Sequence, residues 1–257
     1  MSFPRLPFGS ESGNLPHALD PRLRGDDFFR GFTNMKLRKR RIIIVTIFLL
    51  GLFWFYALYE AFSLPDTMYL REKNPTTTAF MERYKSHHKD AKITHIWVPY
   101  TRISPYLKDA VIAAEDDTFF EHIGFSWEAI RKAAVYDWKK KRFARGASTI
   151  TMQLARNLFL SPSKNPVRKL KEIMIALKLE RELSKQRILE IYLNVVEWGN
   201  GIFGCEAAAR HYFGKSAASL SMSESAYLAS ILPAPRRLGK HYPSLTPRAE
   251  RILNRID

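Results

Sequence analysis

The segment from Ile42 to Tyr59, IIIVTIFLLGLFWFYALY, carries no charged residue and approaches the roughly 20 apolar residues a helix needs to cross the hydrocarbon of a bilayer. A chain with this segment near its start is expected to hang from a membrane by one helix. Phe53, Trp54, Phe55, Tyr56 and Tyr59 fit an interfacial aromatic belt at one end, and Lys36 and Arg38 to Arg41 stand at the other. By the positive-inside rule the basic end stays in the cytoplasm, and the chain beyond the anchor lies outside it. A tail of about 40 residues before so long an apolar run argues for an uncleaved anchor rather than a signal peptide.

Around that anchor the chain divides into four stretches. Residues 1–41 read as a cytoplasmic tail with a basic end; its first 34 residues carry Pro4, Pro7, Gly9, Gly13 and Pro16 without apolar periodicity and are expected to be disordered. Residues 42–60 are the anchor. Residues 61–100 form a mostly polar connector, with a short helix near Thr77 to Ser86 and a strand in ITHIWV. Residues 101–257 form the principal domain, long enough for a core of its own. Cys205 is the only cysteine of the 257 residues, so no intrachain disulfide holds the fold.

From Ser104 onward the pattern is helical. Ser104 and Pro105 give an N-cap and a proline at the first helical position, and Leu107, Ala110, Val111 and Ala114 lie on one face. This places Glu115 at the C-terminal end of a helix. Further starts are signalled at Ser126, at Asn165 and Pro166, at Ser184, at the Ser221 to Glu224 capping box, and at Thr246 and Pro247. The predicted class is mainly α, without repeats.

Three stretches carry chemistry. In AVIAAEDDTFFEHIGF, the acids Glu115, Asp116 and Asp117 stand together in a chain of formal net charge +16. A carboxylate at a helix C-terminus faces the negative end of the dipole and here has acidic neighbours, so Glu115 is expected to have a raised pKa, as a general base or acid requires. Asp116 and Asp117 can equally be a cap and a solvated acid. In RGASTITMQLARNLFL, Ser148 and Thr149 stand at a helix start, where they cap and where free N–H groups seat a phosphate; Gln153 and Asn157 lie at i and i+4 beside Arg156. In NPVRKLKEIMIALKLER, Arg168, Lys169, Lys171 and Glu172 cluster, with Glu172 spaced to pair with Arg168. Between the first two, FSWEAIRKAAVYDWKKKRF interleaves Trp127, Ile130, Tyr136, Trp138 and Phe143 with basic residues, as a segment docking on anionic lipid would.

Taken in order, these stretches resemble the peptidoglycan glycosyltransferases of glycosyltransferase family 51, specifically the monofunctional, membrane-anchored kind. EDDTFFEHIGF is similar to the first family motif, GASTITMQLARN to the second and RKLKE to the third. ILEIYLNVVEWGNGIFGCEAAARHYFGK is similar to the fourth and LPAP, residues 232–235, to the fifth. The resemblance covers roughly residues 90–257. It implies a lysozyme-like helical glycosyltransferase domain that polymerises lipid II into β-1,4-linked glycan with inversion at the anomeric carbon, releasing undecaprenyl diphosphate. It implies Glu115 as general base and Glu172 as the second essential acid. Substrate contacts would come from Asp116, Phe119, Ser148, Thr149, Gln153, Arg156, Asn157, Arg168, Lys169 and Lys171, with the cations facing the diphosphate. Arg156 stands where the family often has lysine; His122 and Glu190 read as structural. Diphosphate contact is compatible with a divalent cation, Mg or Mn, although the sequence shows no metal-ligating cluster.

The implied setting is a bacterial plasma membrane crossed once, with the N-terminus cytoplasmic and the catalytic domain periplasmic or otherwise extracytoplasmic. The implied partners are lipid II, the growing lipid-linked glycan, the anionic lipid surface and cell-wall synthesis proteins. A lysozyme-like peptidoglycan hydrolase is the main alternative, but the anchor and the cationic third motif suit a lipid diphosphate and are superfluous for cleaving glycan. SPSK at Ser161 to Lys164 matches S-x-x-K, yet no S-D-N or K-T-G comes after it, which argues against a transpeptidase. The basic charge also fits a nucleic-acid binder, but the topology points that charge at lipid headgroups instead.

Overall fold

The computed structural model describes residues 25–88, 92–127, 131, 135–136, 148–161, 166–239 and 246–257. The chain divides into two units, residues 1–59 and 60–257.

The first unit is carried by helix α1, Gly25–Phe62. Within it Leu37–Glu60 is long and apolar enough to cross a membrane. Its large apolar residues, from Ile42 to Tyr59, are exposed, as a helix meant for lipid requires. The helix begins at Gly25, inside the stretch expected to be disordered. Nucleation is the costly step of helix formation, and once the apolar run has formed, extension toward the N-terminus is cheap.

The second unit is mainly helical among its described residues. Its elements are α2 (Ala79–His87), β1 (Thr94–His95), α3 (Pro105–Glu115), α4 (Ile150–Phe159), α5 (Pro166–Glu182), α6 (Lys185–Val195), β2 (Glu197–Gly199), β3 (Ile202–Phe203), α7 (Cys205–Phe213), α8 (Met222–Ile231), α9 (Pro235–Leu238) and α10 (Pro247–Ile256). The strands form one small sheet in the order β1-β3-β2, with β1 parallel and β2 antiparallel to β3. The strand expected over ITHIWV stops after His95. Beyond it the backbone bonds to a side chain rather than a neighbouring strand: Val98 N–H donates to Asn194 Oδ1 and Asn194 Nδ2 donates to the Val98 carbonyl, both at 2.9 Å.

Local capping chemistry sets most helix starts. Ser184 accepts from the Arg187 N–H and Thr246 from the Ala249 N–H, while Ser221 and Glu224 form the expected reciprocal box. Ser104 departs from its expected role: it precedes α3, but its hydroxyl donates to the Leu220 carbonyl at 2.9 Å instead of capping. The core gathers Leu107, Ala110 and Val111 of α3, Ile150, Leu154 and Leu158 of α4, Ile188, Ile191 and Tyr192 of α6, and Ala226, Leu228 and Ala229 of α8 around the buried Trp198. Burying each large apolar side chain contributes about 1.5–3 kcal/mol. Helix α4 packs against both α5 and α6, while α3 packs against α8 and α10. Glu115, the last residue of α3, meets Gln153 of α4 and Arg248 of α10. Ser126 precedes a helical Trp127 as expected, but most of the basic, aromatic segment after it lies outside the described residues, as do Gly146, Asn165 and most of SPSK.

Candidate active site

Helix α3 ends on Glu115, and the backbone then turns through Asp116 to Glu121. This break separates the three acids. The Glu115 side chain is 12% exposed; its Oε2 accepts from Gln153 Nε2 on α4 at 2.9 Å and its Oε1 from an Arg248 Nη on α10 at 3.1 Å. Gln153 is itself oriented, because the Tyr192 hydroxyl on α6 donates to its Oε1 at 3.0 Å.

Asp116 turns inward. Its Oδ1 and Oδ2 lie 2.9 and 3.1 Å from His122 Nε2, and Oδ2 also accepts from the Ile150 N–H at 3.0 Å. A carboxylate only accepts, so the imidazole nitrogen is the donor. Asp117 points outward, 66% exposed, to Arg255. The α4 N-terminus, expected as a phosphate seat, thus already holds an anion, the Asp116 carboxylate. Thr149 completes this start: its hydroxyl accepts from the Met152 N–H and donates to the Gly124 carbonyl at 2.6 Å. Gly124 has φ +77°, and a Cβ there would lie 3.3 Å from the Ala176 carbonyl group. The loop after Glu115, the start of α4 and helix α5 are fastened at this point.

A second cluster surrounds Glu172, which is fully buried. Arg168 Nη donates to Oε2 at 2.5 Å, and Lys169 Nζ donates to Oε1 at 2.6 Å and to Ser148 Oγ at 2.7 Å. The i, i+4 pair expected for Arg168 and Glu172 is present, and Lys169 joins it to the residue before Thr149. Lys171 faces elsewhere, ion-paired with Glu60. The connector runs along the same side of α5: Lys178 Nζ donates to the Pro65 carbonyl at 2.8 Å, Arg71 Nε to the Glu182 carbonyl at 2.6 Å, and Thr67 hydrogen-bonds to the Glu182 carboxylate.

The predicted site residues therefore fall into three sets. Glu115, Gln153 and Asp116 share one constellation, with the half-buried Arg156 close enough to lower the Glu115 pKa. Ser148, Lys169, Arg168 and Glu172 share a second, fastened to the first through Thr149 and the start of α4. The rest stand apart from both. Phe119 is fully buried, edge-on to Phe120 and under Lys185 Nζ at 4.5 Å, so it packs the loop rather than offering a surface. Asn157 is also buried, on α4. Two residues of the first constellation carried no assigned role in the sequence. Tyr192 lay within the fourth motif, and Arg248 lay outside all five; neither contact has a local signal, because each joins helices far apart in the chain.

Burial is the main reason that the Glu115 carboxyl is raised above its ordinary range. Gln153, Arg248 and Arg156 pull it back down, and Asp116 pushes it up slightly. The expected direction holds, but desolvation outweighs the acidic neighbour. Tyr192 is raised well above the usual tyrosine value by burial and then by Glu115, which keeps its proton in place as a donor to Gln153. Among the described residues no three metal-ligating side chains converge. The oxygens of Asp116 and Glu172 are engaged as described, so a divalent cation here would draw its ligands largely from phosphate.

A buried carboxylate, poised to take a proton and joined through one helix start to a pair of buried-acid-bound cations, suits transfer of a group from a phosphate leaving group to a hydroxyl. Comparison with known proteins agrees. The Transglycosylase family pattern matches residues 82–257. A protein of Aromatoleum aromaticum is 47% identical over 84% of this chain and 92% of its own. One of Methylobacillus flagellatus is 50% identical over 72% and 82%, and one of Nitrosomonas eutropha is 51% identical over 77% and 84%. Each of the three is described as a biosynthetic peptidoglycan transglycosylase.

Proposed function

The chain belongs to the transglycosylase family, and from that membership we propose a specific reaction for it: polymerisation of lipid II into β-1,4-linked glycan with release of undecaprenyl diphosphate. The class of activity is that of a peptidoglycan glycosyltransferase. The finer assignments are our reading of the site.

In this reading Glu115 is the general base. A sugar hydroxyl attacks the anomeric carbon and gives its proton to the Glu115 carboxylate as the new C–O bond forms. The bond to the diphosphate breaks on the opposite face, and the electron pair leaves with the phosphate oxygen. Arg168, Lys169 and Arg156 meet the charge that develops there. Glu172 holds Arg168 and Lys169 in register, and Asp116 fixes the loop and helix start between the two clusters. The observation that carries this is the environment of Glu115: a buried carboxyl with a raised pKa whose two oxygens are each fixed by one donor. Lys171, engaged by Glu60, is left outside the diphosphate contacts.

An apolar helix able to span a membrane supports a lipid-borne substrate. We place residues 1–41 in the cytoplasm, 42–60 in the bacterial plasma membrane, and the catalytic domain, after the connector, on the extracytoplasmic side.

The test is to incubate the detergent-solubilised full chain with labelled lipid II, separate products by size, and treat a second portion with muramidase. Muramidase-sensitive polymer that disappears in Glu115→Gln supports the reading. Shortening of preformed glycan without polymer would instead mean a hydrolase.

A further inference from the structure

The helix that supplies Arg248 has an apolar side, with Ala249 and Ile252 buried and Leu253 and Ile256 packed against the core. Arg248 and Arg255 stand at i−4 and i+3 from Ile252, so both flank the face that meets α3 and α8. Their tasks differ. Arg255 fastens the helix, donating to the Ala113 carbonyl and pairing with Asp117 on the solvent side. Arg248 ends on the catalytic carboxylate, and its Nε is buried with no acceptor among the described residues. Arg255 already fastens α10 to α3 and its following turn, whereas the guanidinium of Arg248 bonds to the Glu115 carboxylate.

We propose that Arg248 is a positioning residue for Glu115: its guanidinium fixes Oε1 while the Gln153 amide fixes Oε2. This rests on Glu115 acting as the base. The groups that face Glu115 act in two directions. From its own turn Asp116 opposes ionisation. From α4, Gln153 and Arg156 favour it. From α6 the neutral Tyr192 holds Gln153, and from α10 Arg248 favours ionisation. Removing Arg248 leaves burial and Asp116 with two opponents instead of three. A base must be deprotonated to act, so the loss falls hardest at low pH.

The experiment measures kcat/KM for lipid II polymerisation against pH, using the full chain in detergent, for wild type, Arg248→Gln, Arg248→Met, Arg248→Lys and Arg255→Gln. Far-UV circular dichroism checks the fold of each. The expected result is an acidic limb displaced to higher pH in Arg248→Gln and Arg248→Met, with a loss of about tenfold at its acidic end, the size of one charged hydrogen bond. Arg248→Lys, which keeps the charge, should recover most of that displacement, and Arg255→Gln should leave the limb where it is. An equal loss at every pH in Arg248→Gln and Arg255→Gln, with an unmoved limb, would overturn the proposal and leave Arg248 as a docking residue. If Glu115→Gln still polymerises lipid II, the assignment of the base fails, an outcome separate from either result for Arg248.

Discussion

Tyr192 and Gln153, from α6 and α4, are joined by a hydrogen bond of 3.0 Å in which the tyrosine hydroxyl is the donor. The direction of that bond decides which end of the Gln153 amide faces Glu115. With its oxygen occupied by Tyr192, Gln153 presents its NH2 to the carboxylate and favours its ionised form. Tyr192→Phe removes the constraint and lets the amide turn over. The expected cost is one hydrogen bond, about 0.5–1.5 kcal/mol, or roughly 2- to 12-fold in kcat/KM, largest at acidic pH. Steady-state rates across pH check it; an unchanged profile would mean that Gln153 is held by other contacts.

Glu115→Gln should abolish polymerisation without weakening the fold. The Glu115 carboxyl is raised above its value in an unfolded chain, so between the two values the native state binds more protons. Its contribution to stability is therefore greatest below the unfolded pKa and is lost as pH rises through the folded one. Above the folded pKa the ionised, buried carboxylate is a liability that glutamine lacks. The Tm of Glu115→Gln at pH 7.5 is expected to match or exceed wild type, and the difference should shrink toward pH 4; differential scanning calorimetry gives the comparison.

Glu172 behaves oppositely. Fully buried and bound by Arg168 and Lys169, it balances two cations. Glu172→Ala should destabilise by about 3 kcal/mol, as removing one partner of a buried ion pair does. Part of this returns in Arg168→Met/Glu172→Ala, which removes a charge from each side. Thermal unfolding of the single and double variants tests the coupling.

Two neighbouring lysines on α5 should separate in assay. Lys169 reaches Ser148 and Glu172, whereas Lys171 pairs with Glu60. Lys169→Gln is expected to lose more than about tenfold in kcat/KM, since in the proposed reaction it removes a charged contact to the leaving group. Lys171→Gln should stay within about threefold, the scale of a partly exposed ion pair. Comparable losses in the two would return Lys171 to the diphosphate.

Gly124→Ala should lower stability by at least about 1–2 kcal/mol, the cost of a left-handed backbone for an L-residue. The new methyl would also meet the Ala176 carbonyl group at 3.3 Å. Because the Gly124 carbonyl receives the Thr149 hydroxyl, activity should fall with it. Thermal unfolding and polymerisation rates of the one variant check both losses.

What could be read from the sequence was what short range decides. Thr246, Ser184 and the Ser221 box start helices because a cap acts over three residues, and Arg168 finds Glu172 because four residues make one turn. Glu115 ends its helix where the apolar spacing placed it. The Ser104 hydroxyl misled because a partner 116 positions away competes successfully for it. Phe119 is fully buried, and membership of a motif does not by itself distinguish a residue that packs the loop from one that faces a ligand. The raised Glu115 pKa was expected from dipole and acidic neighbours, yet burial dominates, and burial is a property of the assembled helices. Arg248 and Tyr192 were illegible for the same reason.

The surroundings of Glu115 also set an order in time. Gln153 lies 38 positions beyond it and Arg248 lies 133 beyond it. As the chain is made, the glutamate and its amide partner emerge well before the guanidinium that completes them. On the proposed reading, a half-made chain carries its base with one of two clasps missing. In that reading, the setting of the base waits for a residue 133 positions beyond it.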